Sequence, residues 1–250
     1  MSTPRVALIT GSTSGIGIAI ARTLAAAGFS ILVTGRSEER GAQVTSDIGG
    51  AAHFIGCDLL EAGAPQWLVE QTVSHFGRLD VLVNNAAIDH TNNLLDVTAD
   101  EITTTFAHNT FAPMSLLIAA ARVMKSQGDG GSIINITSRL ASIGVPTMGV
   151  YSASKGAMLA FTRASAIDLA PFNIRVNAVA PGMTRTPLYD EWIASLDNPE
   201  QHAAAVASAI PLGRIAEPQD VAAVVAFLAS PEASYLTGTS IPVEGGYLAK

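Results

Sequence analysis

The sequence predicts an α/β fold: one doubly wound parallel sheet of about seven strands with helices on both faces. Two observations carry that expectation. Short β-branched runs alternate with longer segments whose apolar residues recur at helical spacing, and the strand-like runs are apolar with little alternation. A strand covered on both faces needs to be apolar throughout, and strand–helix alternation at this spacing builds right-handed βαβ units.

In chain order the strand candidates are RVALIT (5–10), SILVTGR (30–36), AAHFIGC (51–57), VLVNN (81–85), GSIINIT (131–137), IRVNAVA (174–180) and SIPVEG (240–245). Helical spacing marks 15–27, 61–76, 99–126, 151–170 and 217–229 between them. No linker or low-complexity stretch divides the chain, so residues 1–250 read as one domain. The least regular stretch, about 182–210, carries Tyr189 and Trp192. Its composition fits a lid over a pocket and a surface insertion equally.

Composition narrows the function classes. With 48% apolar and 14% charged residues in 250, the chain can bury a large core and is not expected to be disordered. The formal charge is −7 and no Lys/Arg block occurs, which argues against nucleic acid or an anionic membrane as partner. The longest apolar runs, such as VAAVVAFLA (221–229), are too short to span a bilayer. Cys57 is the only cysteine, which excludes an internal disulfide framework, and with no HExxH motif no metal is expected. The start, MSTPRVALIT, lacks a leader pattern and reads as a cytoplasmic N-terminus. The sequon NIT (135–137) ends a strand-like run and reads as chance.

Directly after the first strand stands TGSTSGIG, Thr10 to Gly17. Gly11, Gly15 and Gly17 let a backbone turn sharply and approach a ligand closely, and Ser12, Ser14 and Ile16 between them are expected to bind the cofactor with them. The helix N-terminus offers unpaired N–H groups and partial positive charge to a pyrophosphate. At the end of the second strand a dinucleotide site that prefers NAD places an acidic residue; here Gly35 holds that place and Arg36 follows. A guanidinium grips a 2′-phosphate that a carboxylate would repel, which favours NADP over NAD. Pairing of Arg36 with Glu38 or Glu39 is the other reading.

Near the middle lies SRLASIGVPTMGVYSASK (138–155), in which Tyr151 and Lys155 are four residues apart and share a helix face. A phenol beside an ammonium suits acid–base chemistry; a packed tyrosine with a nearby lysine has the same spacing.

TGSTSGIG, NNAA (84–87), Asn109, Ser138, YSASK (151–155) and PGMTRT (181–186) occur in one order along the chain, and together they resemble the short-chain dehydrogenase/reductase family over essentially all 250 residues. The resemblance implies a Rossmann-like domain that transfers a hydride between a nicotinamide cofactor and a carbonyl or secondary alcohol. Tyr151 would be the general acid and base. Lys155 would lower the phenol's pKa and bond the nicotinamide ribose, and Ser138 would hold the substrate oxygen. Asn109 would support a water relaying protons from Lys155. Asp58 and Leu59 would meet the adenine, and Asn85 with Ala86 the adenosine side. Pro181, Gly182, Thr184 and Thr186 would approach the carboxamide and phosphates.

By the same resemblance a small-molecule carbonyl or alcohol would bind among His90, Arg139, Leu140, Met148, Met183, Tyr189 and Trp192. Arg139 with His90 suits a carboxylate or a polyhydroxylated substrate; Arg139 turned outward to a surface acid is the alternative. The family's members are mostly homotetramers. Two departures stand out: Ala87 replaces the usual glycine of the NNAG motif, and Ser14 stands where many NADP-preferring relatives carry a basic residue. Arg36 is then the main 2′-phosphate ligand, with NAD the alternative cofactor. A nucleotide sensor that had lost its chemistry would be expected to lack Ser138, Tyr151 or Lys155, and all three are present.

Overall fold

The computed structural model describes residues 4–249; residues 1–3 and 250, the extreme ends of the expected domain, lie outside the described residues. Seven strands form one sheet: β1 (Val6–Ile9), β2 (Ser30–Gly35), β3 (Ala52–Gly56), β4 (Val81–Asn84), β5 (Gly131–Ile136), β6 (Ile174–Pro181) and β7 (Ser240–Val243). Their order is β3-β2-β1-β4-β5-β6-β7, and every pairing is parallel. The order reverses between β1 and β4, so the carboxyl ends of those strands open a crevice, the usual ligand position in such sheets.

Side-chain alternation along the strands feeds two cores. Leu8, Leu32, Leu82 and Ile133 face one side, packing with α3 (Ala64–Phe76), α5 (Ala112–Gln127) and α6 (Gly149–Leu169). Ile9, Val33, Val83 and Ile134 face the other, packing with α1 (Gly15–Ala26), α2 (Glu38–Ile48) and α9 (Pro218–Ala229). Both faces are covered, which is why the strands read as unbroken apolar runs.

The expected helix over 99–126 is α4 (Ala99–Phe106) and α5 joined by a π-helical turn, Ala107–Phe111. The spacing did not reveal that turn, because its backbone register shifts without breaking the apolar face. Spacing also did not mark α2, because Gly41 and Val44 are its buried residues and leave no apolar stripe. A Cβ at Gly41 would lie 2.2 Å from the Phe54 ring, so a glycine lets this helix lie flat on β3. The irregular 182–210 stretch is largely helical, as α7 (Pro187–Ala194) and α8 (Pro199–Ser208). Asn135 of the sequon is buried, donating to Thr162 Oγ1 at 2.8 Å and accepting from Asn84 Nδ2 at 2.9 Å. Among the described residues no helix is long and apolar enough to cross a membrane.

Candidate active site

The glycine turn between β1 and α1 is built by close backbone approach. Gly11 and Gly15 have φ of +62° and +49°, and a Cβ at Gly17 would fall 2.2 Å from the Gly11 carbonyl oxygen. Asn85 ties the turn to β4: its Nδ2 donates to the carbonyls of Thr10 and Gly11 at 2.9 and 3.2 Å. Thr10 Oγ1 accepts from the backbone N–H groups of Asn85 and Ala86. Ser14 is the N-cap of α1 but makes no side-chain cap, and no acidic residue sits in the first turn. The first N–H groups of α1 therefore face the turn without a side-chain acceptor, which fits a pyrophosphate. Ser12 is placed differently from its expected role. Its buried hydroxyl donates to the Ile9 carbonyl at 2.7 Å and accepts from Thr34 N–H at 2.9 Å, so it joins the turn to β2 instead of facing a ligand.

At the end of β2, a Cβ on Gly35 would come 2.5 Å from Thr13 Oγ1, so the neighbouring turn leaves no room for an acidic side chain there. Arg36 is exposed and has no ion-pair or hydrogen-bond partner among the described residues; Glu38 and Glu39 do not pair with it. Asp58 Oδ1 accepts from Leu60 N–H at 3.0 Å, and Leu59 half-packs on the α3–α5 side of the sheet.

A cavity of about 540 Å³ opens beyond the ends of β4, β5 and β6. Ser138, Tyr151 and Lys155 line it together. Ser138 follows β5 and caps a short 3-10 turn, accepting from Leu140 N–H at 3.1 Å, and its hydroxyl acts to lower the pKa of the Tyr151 phenol. Lys155 is buried one helical turn beyond Tyr151, and its Nζ donates to the Ile136 carbonyl at 3.0 Å. Burial pushes the Lys155 ammonium down to about 8. The phenol departs from expectation: its pKa is pushed up to about 12, not lowered. Desolvation is the main cause, the Asp89 carboxylate adds to it, and the nearby Ser138 hydroxyl opposes both. Lys155 lies 5.6 Å from the ring centre, and its hydrogen bond runs to Ile136. A neutral phenol at the cavity wall can donate a proton to an oxygen held by Ser138.

Asn109 lies in the π-helical turn, its Oδ1 accepting from Ile88 N–H and its Nδ2 donating to the Ile88 carbonyl, both at 2.9 Å. Its Nδ2 also reaches Ser154 Oγ at 3.2 Å. The side chain therefore braces the loop after β4, and the expected water support is not a free side-chain group. Ile16, Asn85, Pro181, Gly182, Thr184 and Thr186 edge the cavity, whereas Ala86 does not line it. Thr186 caps α7 by accepting from Tyr189 N–H at 3.3 Å, and Leu188, Tyr189 and Trp192 of that helix line the cavity.

Of the expected substrate residues, Arg139, Leu140, Met148, Met183, Tyr189 and Trp192 line the cavity. His90 does not; its Nε2 lies 3.4 Å from Glu101 Oε1, outside hydrogen-bond geometry. The loop carries His90 toward α4, so it is not a partner for Arg139. Asp89 and Leu188 line the cavity as well. Leu188 was not marked in the sequence, for it is one more apolar residue in an irregular stretch. Cys57 is half-buried and its thiol is raised to about 11, which leaves it a poor nucleophile. Among the described residues no cluster of three or more His, Cys, Asp or Glu is arranged to hold a metal.

A family model described as enoyl-(acyl carrier protein) reductase matches residues 11–248. The chain is 40% identical to a short-chain reductase protein from Streptomyces niveus, covering 98% of this chain and 95% of that one. It is 37% identical to a cyclopentanol dehydrogenase from a Comamonas species, covering 98% and 97%. Among solved structures, an NADPH-dependent reductase involved in bacilysin biosynthesis superposes with a TM-score of 0.94 at 30% identity, covering 99% of both chains. With the turn, the sheet order and the Ser–Tyr–Lys set in one cavity, the chain belongs to the short-chain dehydrogenase/reductase family and is an NAD(P)-dependent oxidoreductase acting on alcohols or carbonyls.

Proposed function

We propose that this oxidoreductase works with NADP in preference to NAD, and that Tyr151 exchanges the proton with the substrate oxygen. The observation that carries the reading is that Ser138, Tyr151 and Lys155 line one cavity wall, with Lys155 buried one helical turn from Tyr151. The nicotinamide, when bound, supplies or accepts the hydride. Ser138 holds the carbonyl oxygen and Tyr151, neutral at physiological pH, gives it a proton; in alcohol oxidation Tyr151 takes the proton back. Lys155, on the same helix face, places a titratable ammonium beside the phenol and favours its ionised form when charged. Asn109 fixes the loop that carries Asp89 at the cavity edge.

Gly11, Ser14, Gly15 and Gly17 would receive the pyrophosphate at the α1 N-terminus, with Ser12 and Asn85 holding the turn in shape. Asp58, Leu59 and Ala86 are assigned to the adenosine end, and Thr184 and Thr186 with Pro181 and Gly182 to the nicotinamide end. NADP is favoured by unpaired Arg36 and by the lack of space for an acidic side chain at Gly35. The NADPH dependence of the structural relative named above supports the same preference. We further assign the protein to the cytoplasm as a homotetramer; exposed Phe111 and Ile118 on the α4–α5 face support helix pairing between subunits.

The test is NADPH consumption with a panel of ketones, diketones, sugar acids and cyclic ketones. Wild type and Tyr151→Phe run in parallel, with NADH as the cofactor control. Turnover by wild type that vanishes in the variant supports the reading. Turnover retained by Tyr151→Phe contradicts it.

A further inference from the structure

Four arginines are half-buried: Arg5, Arg78, Arg139 and Arg175. Three have acceptors. Arg5 donates to the Ala229 carbonyl at 2.9 Å, Arg78 pairs with Asp80 at 2.6 Å, and Arg175 donates to the Leu228 carbonyl at 2.7 Å. Arg139 alone among them has neither an ion pair nor a side-chain hydrogen bond among the described residues, and it lines the cavity. Its guanidinium carbon lies 3.9 Å from the centre of the Tyr247 ring, so the C-terminal segment holds it in place. A half-buried guanidinium with unused donors is costly unless an acceptor arrives. Stacking on a ring covers the face of the group and leaves its N–H edge open, the geometry that takes a carboxylate with two hydrogen bonds.

Chain position sets the scale of what it could hold. Arg139 directly follows Ser138, so its Cα lies about 3.8 Å from that of the residue assigned to the reacting oxygen. Arg139 lines the same cavity of about 540 Å³ as Ser138 and Tyr151, so a compact substrate can present its anionic group to the one and its carbonyl to the others. The rest of the wall is mostly apolar, with Leu140, Met148, Met183 and Trp192. Asp89 is the acidic side chain on the wall and would repel a second anionic group.

From this we infer that the substrate is a short oxo acid, or the corresponding hydroxy acid, whose carboxylate is received by Arg139 held against Tyr247. This deepens the function proposed above and rests on Ser138 and Tyr151 being the reacting end.

The experiment compares acetoacetate and levulinate with their uncharged amides, in wild type, Arg139→Met and Arg139→Lys. Wild type is expected to favour each acid over its amide in kcat/KM. Arg139→Met is expected to lower kcat/KM for the acids by about tenfold or more, the loss of one charge-assisted pair, and for the amides by less than about threefold. Arg139→Lys is expected to recover part of the acid preference. Calorimetric titration of levulinate and its amide into Tyr151→Phe protein loaded with NADP reads binding without turnover, so it stands even where the catalytic assignment fails. Weaker levulinate binding on adding Arg139→Met to that background, with amide binding unchanged, supports the inference. Equal affinity for acid and amide, no binding of levulinate, or an equal effect of Arg139→Met on both overturns it.

Discussion

The Lys155 ammonium lies 5.6 Å from the centre of the Tyr151 ring, yet its hydrogen bond goes to the Ile136 carbonyl. The two groups are displaced in opposite directions, Lys155 down to about 8 and Tyr151 up to about 12, both chiefly by burial. Each shift favours the uncharged form. The pair as built is thus poised for donation by the phenol, and accumulating phenolate needs further positive charge near the ring.

Lys155 makes stability depend on pH in a definite window. Its ordinary pKa of 10.5 falls to about 8 in the native state, so between these values the unfolded chain binds a proton that the folded chain does not. Stability from this group therefore rises with pH through the window and is lost as pH falls through about 8. Tyr151 acts oppositely above its ordinary pKa of 10.0, so the clean range ends there. Denaturant midpoints of wild type against Lys155→Met across that range should diverge, with wild type gaining as pH rises. Parallel curves would exclude the lysine as the source.

Arg36→Ala separates the two cofactors. With no internal partner for the guanidinium, its loss should weaken NADPH binding by about tenfold, the effect of one charge-assisted contact at an exposed site, and leave NADH binding within about twofold. Dissociation constants by fluorescence titration check this. Equal weakening of both cofactors would remove Arg36 from the phosphate site.

Gly17→Ala should behave differently. The added Cβ would fall 2.2 Å from the Gly11 carbonyl, and the turn has to move. Both cofactors should bind more weakly, together with a loss of about 1–3 kcal/mol of stability from overpacking. Unchanged affinity for both would mean that the turn does not hold the pyrophosphate.

Much of this was legible in the sequence because it follows from periodicity and spacing. All seven strands fall inside or within a residue or two of their apolar runs, and the Tyr151–Lys155 spacing placed both groups on α6. What escaped depends on contacts that spacing does not encode. α2 rests on Gly41 fitting beside Phe54, and α8 buries no residue, so neither shows an apolar stripe. Ser12 looks like a ligand residue until Thr34 and Ile9 are seen to occupy its hydroxyl. His90 looks like a partner for Arg139 until the loop after β4 turns it toward Glu101.

Asn109→Ala tests the brace on that loop. Removing a buried amide that bonds both backbone groups of Ile88 leaves them unsatisfied, which should cost about 2–4 kcal/mol in stability and reduce kcat as the loop loosens. Thermal melts with steady-state kinetics check it. A variant with wild-type stability would show that the Ile88 contacts are dispensable.

The most direct measurement for the whole account is single-turnover NADPH oxidation by Tyr151→Phe against wild type, with cofactor affinity measured in parallel. Loss of a positioned general acid predicts a rate lower by about 10²–10⁴-fold with NADPH affinity within about threefold. A rate close to wild type, with cofactor bound, would contradict the assignment of Tyr151 as the proton donor.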